Sequence, residues 1–359
     1  MESKFSHLPD IKTIQPDRLI KYRVSEDKFS AEVLLPGLSY TDFDQKIGAM
    51  ESKFSHLPDI KTIQPDRLIK YRVSEDKFSA EVLLPGLSYT DFDHKIGGKV
   101  NLQSVAKICE CVRFVTFTEG FTNYARRHRH SSDILFVVSQ KFSFTYAAHN
   151  LCSSSHFGFN KPQLFLCDLS HAGKTSYTTN MDWYDSCDNT KIGSFITKII
   201  TADVNTRRPV PLPDYFFKDI ESHFTHIKPQ TMDKVDIPII PSNAYSFNVR
   251  VLYSDCDDNY HVNQATYLKW CSDAVSEGAG NGYFSFFNKH IELYPLMEMT
   301  MYYCGEGLVK DELVVHVWEC KEDASCLEFA IKKQSHVIFH MGMTFYNSES
   351  DKIEQITKM

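Results

Sequence analysis

After residue 50 the chain carries one pattern twice: an apolar strand, a long amphipathic helix, then four more strands. In the first round, residues 79–87 read as a strand. Residues 102–118 read as a helix, with Val105, Ala106, Ile108, Cys109, Val112 and Val115 near helical spacing. Extended apolar stretches follow at 134–147, 163–169, 176–184 and 192–202. The second round gives a strand at 245–253 and a helix at 264–277 that stops at the glycine-rich run 278–282. Its four strands are 297–304, 313–320, 326–332 and 336–346. Such a pattern is an α+β unit, and its doubling predicts two curved antiparallel sheets, each wrapping a central helix. The division between the halves falls within 206–242, where prolines cluster and periodicity fades. A hydrophobic content of 42% over 359 residues is enough to bury two ordinary cores.

A second repeat lies at the start. Residues 1–48 recur as residues 50–97 with one change, Gln45 to His94, and the second copy opens on its own Met50. Only the second copy runs on into a helix-like segment, so the first lacks a partner element. Residues 1–49 are therefore expected to be redundant and loosely packed, disordered or absent from the mature protein. The domain reading is 1–49 duplicated segment, 50–225 first unit and 226–359 second unit.

Composition removes several function classes. A formal net charge of −7 gives no general attraction to nucleic acid or to an anionic membrane. No apolar run approaches the roughly 18 residues of a membrane span, and the first residues lack the basic and apolar regions of a signal peptide. The expectation is a soluble cytoplasmic protein with no membrane insertion. Ten cysteines are scattered singly apart from Cys109 and Cys111, with no C-x-x-C pair or zinc spacing. They read as reduced thiols, mostly in the core, and neither metal nor cofactor is expected.

Chemistry concentrates between the second strand and the second helix, in Tyr253-Ser-Asp-Cys-Asp-Asp-Asn-Tyr-His-Val-Asn-Gln-Ala-Thr-Tyr-Leu-Lys-Trp270. A helix N-terminus offers N–H groups with no intrahelical partner and the positive end of the helix dipole, a ready stabiliser for an oxyanion. Asn263 is the candidate N-cap, which leaves the amides near Gln264 and Ala265 for the oxyanion. Upstream, Asp257 suits a general base or nucleophile, Asn259 a group that fixes water or substrate, and His261 a proton carrier near neutral pH. Asp and Asn ahead of a helix also make ordinary capping turns. Cys256, between two aspartates, reads as a buried thiol. Tyr267, Leu268, Cys271, Ala274 and Val275 form an apolar stripe that is core first and pocket wall second.

This order of residues resembles the hotdog-fold acyl thioesterases. Asp257, Asn259, His261, Val262 and Asn263 match the Asp-x-Asn-x-His-Val-Asn of the fatty acyl-acyl carrier protein thioesterases, and the Asp-x-Asp is similar to that of the 4-hydroxybenzoyl-CoA thioesterase group. The resemblance implies a double hotdog from Met50 onward and hydrolysis of fatty acyl thioesters on coenzyme A or acyl carrier protein. It also implies pairing of the sheets within one chain, as a monomer or a homodimer of chains. A non-catalytic acyl-thioester binder and, more distantly, a hydratase or dehydratase share the fold.

The resemblance calls for a further acidic residue after the helix, but Tyr303 and Cys304 stand there, with Glu298 and Glu306 as neighbours and Glu277 at the helix end as an alternative. The first half keeps Asp91, Asp93, Val100 and Asn101. It has two residues inserted and Lys99 in place of His261, which reads as a degraded site and leaves one competent site per chain. In the run 125–130, Arg126, Arg127 and Arg129 are candidate contacts for coenzyme A phosphates or an acidic carrier surface; a solvated basic loop is the plainer reading. Arg207 to Pro209 reads as a docking element between the halves.

Overall fold

The computed structural model describes residues 69–347 except 88, 95–96, 119, 124–132, 152–160, 213, 218–219, 225–231, 233–235 and 258, together with the backbone of 12–14, 20–24, 31–34 and 61–63. In the first half, β1 (Ile69–Val73) and β2 (Ser79–Leu84) precede the long helix α1 (Leu102–Thr118). They are followed by β3 (Asp133–Phe144), β4 (Gln163–Ala172), β5 (Ser176–Asp185) and β6 (Lys191–Asp203). The second half repeats this as β7 (Tyr245–Arg250), the long helix α2 (Gln264–Gly280), β8 (Leu296–Tyr303), β9 (Glu312–Glu319), β10 (Cys326–Lys333) and β11 (His336–Phe345). Alternation of buried and half-exposed residues along β6, β9 and β10 shows one face turned to a core and one away from it.

The strands join in one antiparallel sheet of twelve, ordered Lys12–Ile14, β1, β2, β4, β5, β6, β3, β8, β11, β10, β9, β7. The order from β2 to β3 is mirrored from β8 to β7, so the two halves meet at β3 and β8. The two expected curved sheets are the two halves of this one sheet. Each half would otherwise end on an open edge, and pairing β3 with β8 closes both, setting Met299 against Phe142 and Met301 against Gln140. The seam also carries the Lys141–Glu298 ion pair at 2.8 Å. The two long helices pack against each other, and a single core of buried side chains runs through both halves.

Three sequence expectations change. Strand β1 is not signalled in advance. Helix α2 continues three residues past Glu277: Gly278 packs where a Cβ would lie 2.5 Å from the Phe284 ring, and the chain turns only at Gly282 (φ 67°). The cysteines are not mostly core; among the nine described, all free, only Cys109, Cys167 and Cys271 are buried. The proline-rich connection folds back on the first half, where Phe216 meets Phe78 and Tyr177 at ring distances of 5.7 and 5.5 Å.

Most of residues 1–49 lie outside the described residues, but three stretches of them are strands. Lys12–Ile14 pairs with β1 in the register Lys12 to Tyr71, and Ile20–Val24 pairs with Lys61–Ile63 in the register Tyr22 to Lys61. Because the two copies are 49 residues apart, these are one pairing made twice, each copy's Lys-Thr-Ile lying on the other's Ile-Lys-Tyr-Arg-Val. These pairings join the described strands of the first copy to the second copy.

Candidate active site at the N-terminus of α2

The polar run forms a narrow loop closed by backbone bonds. A single turn of 3-10 helix at Tyr253–Asp255 leads in, and buried Asp255 accepts from Leu252 N at 2.8 Å through its carboxylate and from Asn263 N at 2.9 Å through its carbonyl. Asp255 therefore ties the loop shut. Beyond it, Cys256 bridges Val262, Asp257 N donates to His261 O at 3.0 Å, and Asn259 N donates to Asp257 Oδ1 at 2.9 Å. Tyr260 takes a left-handed φ of 63° to turn the chain back. Val262 N donates to Gly307 O at 2.9 Å, which fastens the loop to the segment after β8.

The loop brings Asp257 and His261 together, with Asp257 Oδ2 at 3.7 Å from His261 Nδ1. His261 Nδ1 also lies 3.2 Å from Val262 O. A carbonyl only accepts, so in the neutral ring Nδ1 carries the hydrogen and Nε2 the lone pair. Nε2 is buried and has no hydrogen-bond partner among the described residues. Cys256 is half-buried rather than buried, and burial together with Asp255 and Asp257 pushes its thiol up, away from a reactive thiolate.

Asn263 caps α2 as expected of its type, accepting from Ala265 N at 2.9 Å. That bond corrects one site expectation: the Ala265 amide is occupied by the cap, while Gln264, the first helical residue, has no residue four back inside the helix to accept its N–H. The Gln264 side chain is buried, and neither its Oε1 nor its Nε2 has a partner among the described residues.

These groups border a cavity of about 330 Å³ whose walls come from both halves. Asp257, Asn259, His261 and Gln264 line one side. On the other stand Glu110, Arg113, Phe114 and Phe117 of α1, with Leu135 to Val138 of β3 and Ile199 and Ile200 of β6. The contribution of α1 is absent from the sequence expectations. Its four residues stand at i, i+3, i+4 and i+7, a second helical stripe beside the buried one, and that spacing was the available signal. Glu110 accepts from Asn263 Nδ2 through both oxygens, at 3.1 and 3.2 Å.

Of the acidic neighbours considered for the site, Glu306 lines the cavity 3.9 Å from Arg207, itself on the wall and over the Phe136 ring. Glu298 pairs with Lys141 at the seam, and Glu277 accepts from Tyr245 OH at 2.6 Å at the far end of α2. Tyr303 lines the cavity and donates to Gln140 Oε1 at 2.9 Å, and burial raises its phenol so that it stays protonated. Tyr267, at the start of the apolar stripe, is both core and wall. Arg126, Arg127 and Arg129 lie outside the described residues. Among the described residues no group of three or more His, Cys, Asp or Glu is arranged to hold a metal, and no helix is long and apolar enough to cross a membrane.

Residues 241–285, which contain this loop and all of α2, match the model of the acyl-ACP thioesterase C-terminal domain. The chain resembles the acyl-ACP thioesterases. No curated protein sequence matches it. Among solved structures, an acyl-ACP thioesterase of Bacteroides thetaiotaomicron superposes with a TM-score of 0.55 at 17% identity, over 76% of this chain and 99% of that one. A 12:0-ACP thioesterase of Umbellularia californica gives 0.56 at 12% identity, over 75% and 98%. A Lactobacillus plantarum protein assigned as an oleoyl thioesterase gives 0.56 at 14% identity, over 75% and 96%. At these identities the likeness is one of fold.

Proposed function

We propose that this protein is a thioester hydrolase that cleaves fatty acyl thioesters of coenzyme A or acyl carrier protein. The observation that carries the reading is the meeting, in one largely apolar cavity, of Asp257, His261 and Gln264, the first residue of α2. In the proposed reaction Asp257 takes a proton from a water held by Asn259, and the water oxygen bonds to the carbonyl carbon. The charge on the carbonyl oxygen meets the Gln264 N–H at the positive end of α2. The C–S bond then breaks with its electron pair on sulfur, and the proton taken up by Asp257 passes to the thiolate, with the Nε2 lone pair of His261 accepting and then releasing it on the way. Phe114, Phe117, Leu135, Val137, Ile199 and Ile200 offer the acyl chain an apolar wall.

The architecture is read as a double hotdog, with residues 50–225 and 226–359 as its units and 1–49 as a redundant copy. Pairing of β3 with β8 inside one chain supports a complete site per chain, whether the chain acts alone or as a homodimer. The test is release of free thiol by the full chain from acyl-CoAs and acyl carrier proteins of increasing chain length. Asp257→Asn is expected to lower turnover about 10²–10⁴-fold, the usual contribution of a positioned base. Equal turnover by the variant would sink the assignment of Asp257. Saturable binding without turnover by the unaltered protein would favour a non-catalytic binder.

A further inference from the structure

Asn263 has two tasks at opposite ends of one side-chain amide. Its Oδ1 accepts from Ala265 N at 2.9 Å, and its Nδ2 donates to both oxygens of Glu110 at 3.1 and 3.2 Å. The amide can in principle rotate by half a turn, which would set NH₂ against the Ala265 N–H and carbonyl oxygen against a carboxylate. Both contacts would then be repulsive, because a carboxylate only accepts and a backbone N–H only donates. Glu110 thus fixes which way the cap points, and it does so from α1 in the other half of the chain. The bond is charge-assisted, and its negative end lies at the positive end of α2.

Resting on the thioesterase reading, the geometry points to Glu110 as the positioning residue of this site, a clamp by which the first half holds the first turn of α2 in register with Asp257. Glu110 lines the cavity, but its carboxylate is directed at Asn263. With the cap held, the Ala265 amide stays occupied and the Gln264 amide alone faces the oxyanion. Without it, the Asn263 side-chain amide is free to turn away from Ala265 N, while the backbone of the first turn stays tied to Asp255 O by Asn263 N at 2.9 Å and Thr266 Oγ1 at 3.3 Å. The strand position after α2, where the resemblance calls for an acidic residue, is taken by the neutral phenol of Tyr303, while the carboxylate bonded to the cap side chain is Glu110.

A set of four variants of the full chain tests this. Glu110→Ala removes the clamp and is expected to lower kcat about tenfold to a hundredfold with KM little changed, the scale of a misplacement near 1 Å. Glu110→Gln keeps an acceptor for Asn263 and should lose only a few-fold, with the pH profile of kcat/KM unmoved. Asn263→Asp still caps the helix but faces Glu110 with a second carboxylate, and is expected to be the least active of the set. Combining Asn263→Asp with Glu110→Gln restores one donor and one acceptor in reversed order and should recover most of the kcat lost in Asn263→Asp.

The proposal is overturned if Glu110→Gln is as inactive as Glu110→Ala and shifts the acid limb of the profile, since Glu110 would then exchange a proton with substrate itself. It is also overturned if Glu110→Ala turns over like the unaltered protein. Melting temperatures of the same four proteins test the contact without any substrate. Rescue of Asn263→Asp by Glu110→Gln is expected, and strictly additive shifts would reject the clamp. Absence of turnover in the unaltered protein would reject the hydrolase reading, while the melting series would still decide the contact.

Discussion

The two helix N-termini start from the same cap and end in different chemistry. Asn101 accepts from Ser104 N at 2.7 Å ahead of α1, and its backbone N–H donates to Asp91 O at 3.2 Å, as that of Asn263 donates to Asp255 O at 2.9 Å. The loop of the first half is two residues longer, and its amide Nδ2 turns back to its own loop, to Asp91 O at 3.3 Å. In the second half the corresponding amide reaches the other half of the chain. Lys99 stands in place of His261 and donates to His149 O. The neighbouring cavity is only about 60 Å³ against about 330 Å³ at α2. The difference teaches that this fold supplies a capped helix terminus twice, and that the two termini differ in what faces them, which is what the proposed site at α2 rests on.

Exchanging the differing residue strains that comparison most. His261→Lys removes the lone-pair nitrogen from the α2 site and places a cation beside Asp257. It is expected to cut turnover by about 10²-fold or more, the low end of the range for a proton-transfer group. The reverse change, Lys99→His, should leave turnover where it was, and should create none when Asp257→Asn is also present. Thiol release by the three proteins decides it, and turnover from Lys99→His in that background would mean that the first half holds a latent site.

A smaller contrast separates capping from chemistry. Asn101→Ala and Asn263→Ala each remove one N-cap and should each cost about 1 kcal/mol of stability in denaturant titration. Only Asn263→Ala should also lower kcat, because only that cap holds an amide next to Asp257. Equal kcat in the two variants would reduce Asn263 to a structural cap.

Much of this was legible in the sequence, and the missing parts share a cause. The strand and helix periodicities locate both halves, and Asp257, His261 and Asn263 are found because a loop keeps its members close in sequence. Glu110 and Arg113 are not found, since they reach the site by packing of α1 on α2, and Glu110 is 153 residues from Asn263. The joining of the sheets at β3 and β8 depends on an edge-to-edge register that no local pattern records. The amide assignment failed at Ala265 because the cap that marks the helix start also occupies one of the amides it was expected to leave open.

The smallest effect expected comes from the charged surroundings of α1's N-terminus. Burial, and secondarily the charge of Lys99, bring His149 down from an ordinary 6.5 to about 4. Between those values the unfolded chain binds a proton that the folded chain refuses. Stability from this residue is therefore whole above pH 6.5 and declines as pH falls toward 4. The melting temperature should fall over that interval by on the order of 1–2 °C more in the unaltered protein than in His149→Gln, which cannot titrate. Lys99→Met, which removes the secondary cause, should shift the decline to lower amplitude without abolishing it, since burial remains. Identical pH curves for all three proteins would show that His149 is solvated like an ordinary surface imidazole, and the contrast between the two helix termini would then rest on cavity size and on Glu110 rather than on charge.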